Sequence, residues 1–214
     1  MSNYACIFQR GFFGTFLIYF INQHEGFSKE PYVANYKHFN NLDEVHSAPV
    51  HINMPKHSFY YKPKMEAVEN YKGQVELLDW DDWRAQHPSE KIAFKPVPHH
   101  YDQLDKEYCD YLQERAWFIV CHYEEGKQAV TKRIARYSRD AITFSAEKYV
   151  EERNEAALNL ARTRGAFLLD MGKLMKCDIR TYGTLCQYLN TKPLDGWQDL
   201  VNNHKELIGF KEFE

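Results

Sequence analysis

The chain has 214 residues, 44% of them hydrophobic, which suits one domain or one domain with an inserted lobe. Charge is nearly balanced, with 27 Lys and Arg against 30 Asp and Glu for a net of −3. That balance excludes bulk electrostatic attraction to nucleic acid or to an anionic membrane, while a local basic pocket stays open.

The chain opens on a short apolar run at residues 4–9, predicted to be a strand. A glycine-containing turn follows at residues 10–15, and an apolar helix at residues 16–24. Glycine permits positive φ and close approach of a ligand. The first amides of the helix lack intrahelical partners, and with the helix dipole they attract an anion. This turn is a candidate phosphate or sulfate site; the alternative is an ordinary strand-to-helix turn. The apolar run at residues 12–21 is too short to span a bilayer, and no basic segment with a cleavage site accompanies it. A buried helix in a cytoplasmic protein is expected.

Residues 25–100 hold seven of the eight prolines and are rich in His, Tyr, Asn and Lys. A long irregular insertion or lid is expected here, since long loops in compact domains usually serve function. Short ordered pieces are predicted within it: a helical turn at 42–46, a strand or turn at 75–78, and a short acid-capped helix at 79–84. His51, His57, His99 and His100 invite a metal reading, but no paired-histidine helical motif accompanies them.

Regular patterning returns with an amphipathic helix at 102–115 and a continuous apolar strand at 117–122. A short strand is predicted at 132–136, a long helix at 140–161 and a buried strand at 166–171. Two helices, 181–189 and 196–207, close the pattern on either side of Pro193. Strands alternating with helices argue for a single α/β domain over residues 1–214, with a mainly parallel sheet flanked by helices. Ligands of such sheets sit beyond the carboxyl ends of strands. The turn at 10–15 and the residues after Cys121 and Ala135 are expected to meet there. Five scattered cysteines, at 6, 109, 121, 177 and 186, suggest reduced and mostly buried thiols.

Three segments resemble the sulfotransferase family, enzymes of P-loop-like three-layer fold that use 3′-phosphoadenosine 5′-phosphosulfate. Gly11-Phe12-Phe13-Gly14-Thr15-Phe16-Leu17 is similar to the family's 5′-phosphosulfate loop, Lys-Ser-Gly-Thr-Thr before a Trp-Leu helix start. Val120-Cys121-His122-Tyr123 is similar to its Lys-Thr-His-Leu, whose His is the catalytic base. Arg136-Tyr137-Ser138-Arg139-Asp140 looks like its Arg-Asn-Pro-Arg-Asp, whose first Arg binds the 3′-phosphate. Residues 169–174 extend the resemblance as a C-terminal strand.

The resemblance implies that Gly11, Phe12, Phe13, Gly14, Thr15, Arg136 and Ser145 bind the nucleotide. It also implies that His122 acts as base. Arg10 is the nearby cation that could replace the family's loop lysine, because Phe12 stands at the Lys position and Phe13 at the Ser. The expected downstream Ser falls on Phe144, and a one-residue slip restores it at Ser145. A small-molecule or glycan acceptor follows from the same resemblance. A catalytically inactive member with a structural role, contacting protein partners through the aromatic middle segment, is the competing expectation.

Overall fold

The computed structural model describes residues 3–9, 12–28, 32–33, 48–49, 51–53, 77–79, 85, 88–96, 104, 106–137 and 145–207. Strand β1 (Asn3–Ile7) is buried along its whole length, as a strand covered on both faces must be. It leads into helix α1 (Gly14–Asn22), nine residues with no charge. Phe16, Leu17, Ile18, Phe20 and Ile21 of α1 are all buried. A helix apolar on every side is a core element, and this one confirms the buried helix expected there.

Four short strands follow: β2 (Tyr32–Val33), β3 (Ala48–Pro49), β4 (His51–Asn53) and β5 (Leu77–Asp79). β2 pairs antiparallel with β3, and β4 pairs parallel with β5. Strand β6 (Ala93–Phe94) then joins the main sheet. Part of the segment expected to be irregular therefore supplies a core strand. The predicted turn at 42–46 lies outside the described residues, as does nearly all of the predicted helix at 79–84, whose first residue Asp79 ends β5.

Helix α2 (Lys106–Gln113) precedes strand β7 (Ala116–His122), in which only Trp117 is exposed. Helices α3 (Lys127–Tyr137) and α4 (Ala146–Arg164) come next. Strand β8 (Phe167–Asp170) leads directly into the single turn α5 (Met171–Met175). Helices α6 (Ile179–Leu189) and α7 (Trp197–Leu207) follow. The main sheet is parallel, with strand order β6-β1-β7-β8, and helices flank it. This is the α/β architecture that the alternating pattern implied.

Two expectations need correction. Residues 132–136 are helical, inside α3. Ala129, Val130 and Ile134 are buried while Lys127, Gln128, Lys132 and Ala135 are exposed, a helical period that a five-residue window around Ile134 does not reveal. Arg136 therefore sits in the last turn of a helix and does not follow a strand end. The last strand also stops sooner than the resemblance implied. Asp170 ends β8 by capping α5, its Oδ1 accepting from the amides of Gly172 (3.0 Å) and Lys173 (3.3 Å).

The chain divides into two compact units, one of Met1–Cys6, Thr15–His99 and Gln103–Trp117, the other of Ile7–Gly14, His100–Asp102 and Phe118–Glu214. In the first, Asn22 at the end of α1 grips strand β6. Its Nδ2 donates to the Ala93 carbonyl and its Oδ1 accepts from the Ala93 amide, both at 2.8 Å. In the second, Asn154 of α4 does the same to Tyr123 just past β7. Asn154 Nδ2 donates to the Tyr123 carbonyl at 2.6 Å, and the Tyr123 amide donates to its Oδ1 at 2.9 Å. Two buried carboxamides thus satisfy strand backbone that would otherwise lie unpaired in the core.

Candidate functional site

The residues of interest belong to the second unit: the carboxyl end of β1 with its turn, the ends of β7 and β8, and the inner faces of α3 and α4. The turn is closed by its own backbone. The Phe12 amide donates to the Gln9 carbonyl at 3.0 Å. Phe13 then takes a left-handed conformation, φ 55°, uncommon for a residue with a bulky side chain. Gly14 follows because a Cβ there would run into the Phe8 ring.

The rings of this turn point inward. Phe12 is fully buried and meets Tyr123 edge-on, centroids 5.0 Å apart. Phe13 is buried against Tyr123 and meets His204 edge-on at 5.7 Å. The guanidinium of Arg133, from α3, lies 4.4 Å from the Phe13 ring centre. Phe12 and Phe13 thus anchor the turn to the core.

At the end of β7, His122 is in register with Asp170 of β8. His122 is 9% exposed and Asp170 7%. The Asp170 carboxylate is held in place by the two α5 amides and by the Glu125 amide at 3.3 Å. Lys173 Nζ stands 3.8 Å from it and 3.8 Å from Glu124. Gly172 is required beside this cluster, since a Cβ would strike the Glu125 carbonyl. Burial pushes the His122 imidazole below the ordinary histidine range. Asp170 and then Glu124 pull it back up, while Lys173 and Lys127 push it further down. Among the described residues no hydrogen bond reaches its ring. A buried, neutral imidazole with free ring nitrogens is chemically able to accept a proton.

Gln9, two residues past β1, is 2% exposed. Its Oε1 accepts from the Tyr149 hydroxyl of α4 at 3.5 Å, and its Nε2 has no acceptor. Tyr149 in turn lies under the Arg153 guanidinium, 5.2 Å from the ring centre.

The predicted residues divide accordingly. His122, Phe12, Phe13 and Gly14 belong to this cluster of strand ends. Arg10 and Gly11 lie outside the described residues. Thr15 and Arg136 are placed by their backbones, in the first turn of α1 and the last turn of α3. Ser145 is the N-cap of α4, its Oγ accepting from the Lys148 amide at 3.2 Å. Sequence reasoning missed Gln9, Tyr149, Asn154 and Asp170. Only Asp170 left a signal, an Asp between an apolar run and a new helix. A shallow groove of about 310 Å³ on α4 is lined by Glu152, Glu155, Ala156 and Asn159, none of them a predicted residue.

No protein-family model, curated protein or solved structure matches this chain. Among the described residues no group of three or more His, Cys, Asp or Glu is arranged to hold a metal ion, and no helix is long and apolar enough to cross a membrane.

Proposed function

We propose that the chain binds a ligand bearing a tetrahedral oxyanion at the carboxyl ends of β1 and β7, where His122 serves as base. In the form implied by the sulfotransferase resemblance, the ligand is 3′-phosphoadenosine 5′-phosphosulfate. Its sulfuryl group passes to a hydroxyl or amine of a small-molecule or glycan acceptor. The observation that carries the reading is His122: buried, kept neutral by that burial, and free of hydrogen bonds at its ring among the described residues.

The residues fit such a nucleotide only in part. Phe12 and Phe13 offer no side-chain donor, and the Phe12 amide is already engaged with Gln9. The reading draws instead on the amides of Phe13, Gly14 and Thr15, on Arg136 for a 3′-phosphate, and on Ser145. The Ser145 oxygen accepts from Lys148, which leaves its own proton available to donate. The nucleotide supplies an electrophilic sulfur. His122 takes the acceptor's proton as its oxygen or nitrogen bonds to sulfur. The bond from sulfur to the bridging phosphate oxygen breaks, and the electron pair leaves with 3′-phosphoadenosine 5′-phosphate. With Phe12 in place of a lysine, turnover is expected to be slow.

A second reading is favoured by one specific observation, the aromatic packing of Phe12 and Phe13 against Tyr123 and His204. A turn built as core suits a catalytically inactive member with a structural or protein-interaction role. Calorimetry with 3′-phosphoadenosine 5′-phosphate separates the two. Micromolar binding, weakened about 10- to 100-fold by Arg136→Ala as expected for a lost charge-assisted phosphate contact, supports the first. No heat at millimolar nucleotide supports the second.

A further inference from the structure

Gln9 is a buried polar side chain of this unit that is only half engaged. Its carboxamide oxygen faces the Tyr149 hydroxyl, while the two N–H groups of Nε2 have no acceptor. A buried donor without an acceptor is costly, and native structures seldom keep one without a reason. Two buried asparagines, Asn22 and Asn154, engage both ends of the carboxamide on strand backbone. Asn3, in the first unit, uses only its Nδ2, on the Arg115 carbonyl at 3.4 Å, and leaves Oδ1 without a partner. Gln9 too is engaged at one end only.

Its surroundings have a definite charge character. The turn that begins at Gln9 carries Phe13, which packs beneath the Arg133 guanidinium at 4.4 Å. The tyrosine that holds its oxygen packs beneath the Arg153 guanidinium at 5.2 Å. Two guanidinium groups are therefore stacked on rings joined to this segment, Arg133 on Phe13 and Arg153 on Tyr149. His122 lies at the same end of the parallel sheet, on the neighbouring strand. A neutral N–H donor preset in a cationic setting matches an acceptor that carries negative charge.

We infer that Gln9 Nε2 is the buried donor that binds one oxygen of a sulfate or phosphate group at the end of β1, taking over the hydrogen bond that a loop lysine would give. The inference deepens the oxyanion reading above and rests on it. Tyr149 is the positioning residue. By holding Oε1 it turns the N–H groups toward the ligand, and burial keeps water from competing.

The test uses the whole chain, ¹⁵N-labelled, with its Gln9 side-chain amide assigned through bonds. Inorganic sulfate, inorganic phosphate and 3′-phosphoadenosine 5′-phosphate are titrated separately while that resonance is followed. Affinities are compared with those of Gln9→Met, which keeps length and removes the donors. Movement of the Gln9 amide with at least one of the three, and a loss of about 10- to 100-fold in its affinity in Gln9→Met, is the expected result. Gln9-dependent binding of the inorganic ions with no gain for the nucleotide upholds the inference and removes the nucleotide reading. Nucleotide binding that Gln9→Met leaves within twofold overturns the inference and spares that reading. A Gln9 amide that no anion moves at tens of millimolar overturns the inference outright, whatever the variant does.

Discussion

His24 and His122 are both buried, and burial pushes both imidazoles below the usual histidine range. His24 is nevertheless bound into the fold, its Nδ1 2.9 Å from the Ile21 carbonyl. Among the described residues, His122 instead meets the charges of Asp170, Glu124, Lys173 and Lys127. Because the folded chain resists protonating either ring, the unfolded chain binds more protons once the pH drops below about 6.5. Stability is complete above that value, declines as the pH falls below it, and levels off once the pH is beneath the lowered folded values. His122→Gln should flatten the decline between pH 6.5 and 5, by at most about 1.4 kcal/mol per pH unit for a single site. It should leave that slope unchanged above pH 7. Chemical denaturation at a series of pH values measures it. An unchanged acid slope in the variant would mean that His122 is not held neutral in the native chain.

At the level of elements, the decisive contacts join a helix to the backbone of a strand. Asn154 satisfies both backbone groups of Tyr123 from the middle of α4. Asn154→Leu should remove two hydrogen bonds and leave a buried amide and carbonyl unpaired, a loss of about 3 kcal/mol. For a chain of this length that lowers Tm by about 6–12 °C. Ser145→Ala, which removes only the cap of the same helix, should cost about 1 kcal/mol. Thermal melts of the two variants side by side check the order, and equal losses would refute the clamp.

Such contacts explain what the sequence disclosed and what it did not. β1, α1 and β7 were legible because uninterrupted apolar runs have few places to go but the core. α6 and α7 were legible from their periods and from Pro193 between them. α3 was not, because one isoleucine among Lys and Arg fits a short strand as well as a helix until Ala129 and Val130 are counted with it. Asn154 and Gln9 left no trace, since a polar residue on a helix or after a strand looks solvent-facing until its neighbours enclose it. His122 was visible because it ends an apolar strand. Asp170, its partner in register, belongs to a different stretch of chain, and pairing between strands is not written in either one.

Across the whole molecule the cysteines sample both compact units. Cys6 and Cys109 belong to the first; Cys121, Cys177 and Cys186 to the second. All five are free, and four are buried, with Cys177 alone partly exposed. This agrees with the reduced, mostly buried thiols expected from their scatter. Burial raises the thiols of Cys121, Cys177 and Cys186 above their usual value, so the reactive thiolate is scarce at each of them. A thiol reagent at pH 8 should therefore modify one cysteine per native chain, at Cys177 and slowly, and all five in denaturant. Mass mapping of the labelled sites over time then reports which unit opens first under native conditions, because a buried thiol reacts only when its surroundings part. Early labelling confined to Cys121 and Cys186 would assign the weaker core to the unit that carries His122 and Gln9, where a ligand has to enter. Early labelling at Cys6 or Cys109 would place that weakness in the other unit and leave the ends of β1 and β7 as rigid as their packing implies.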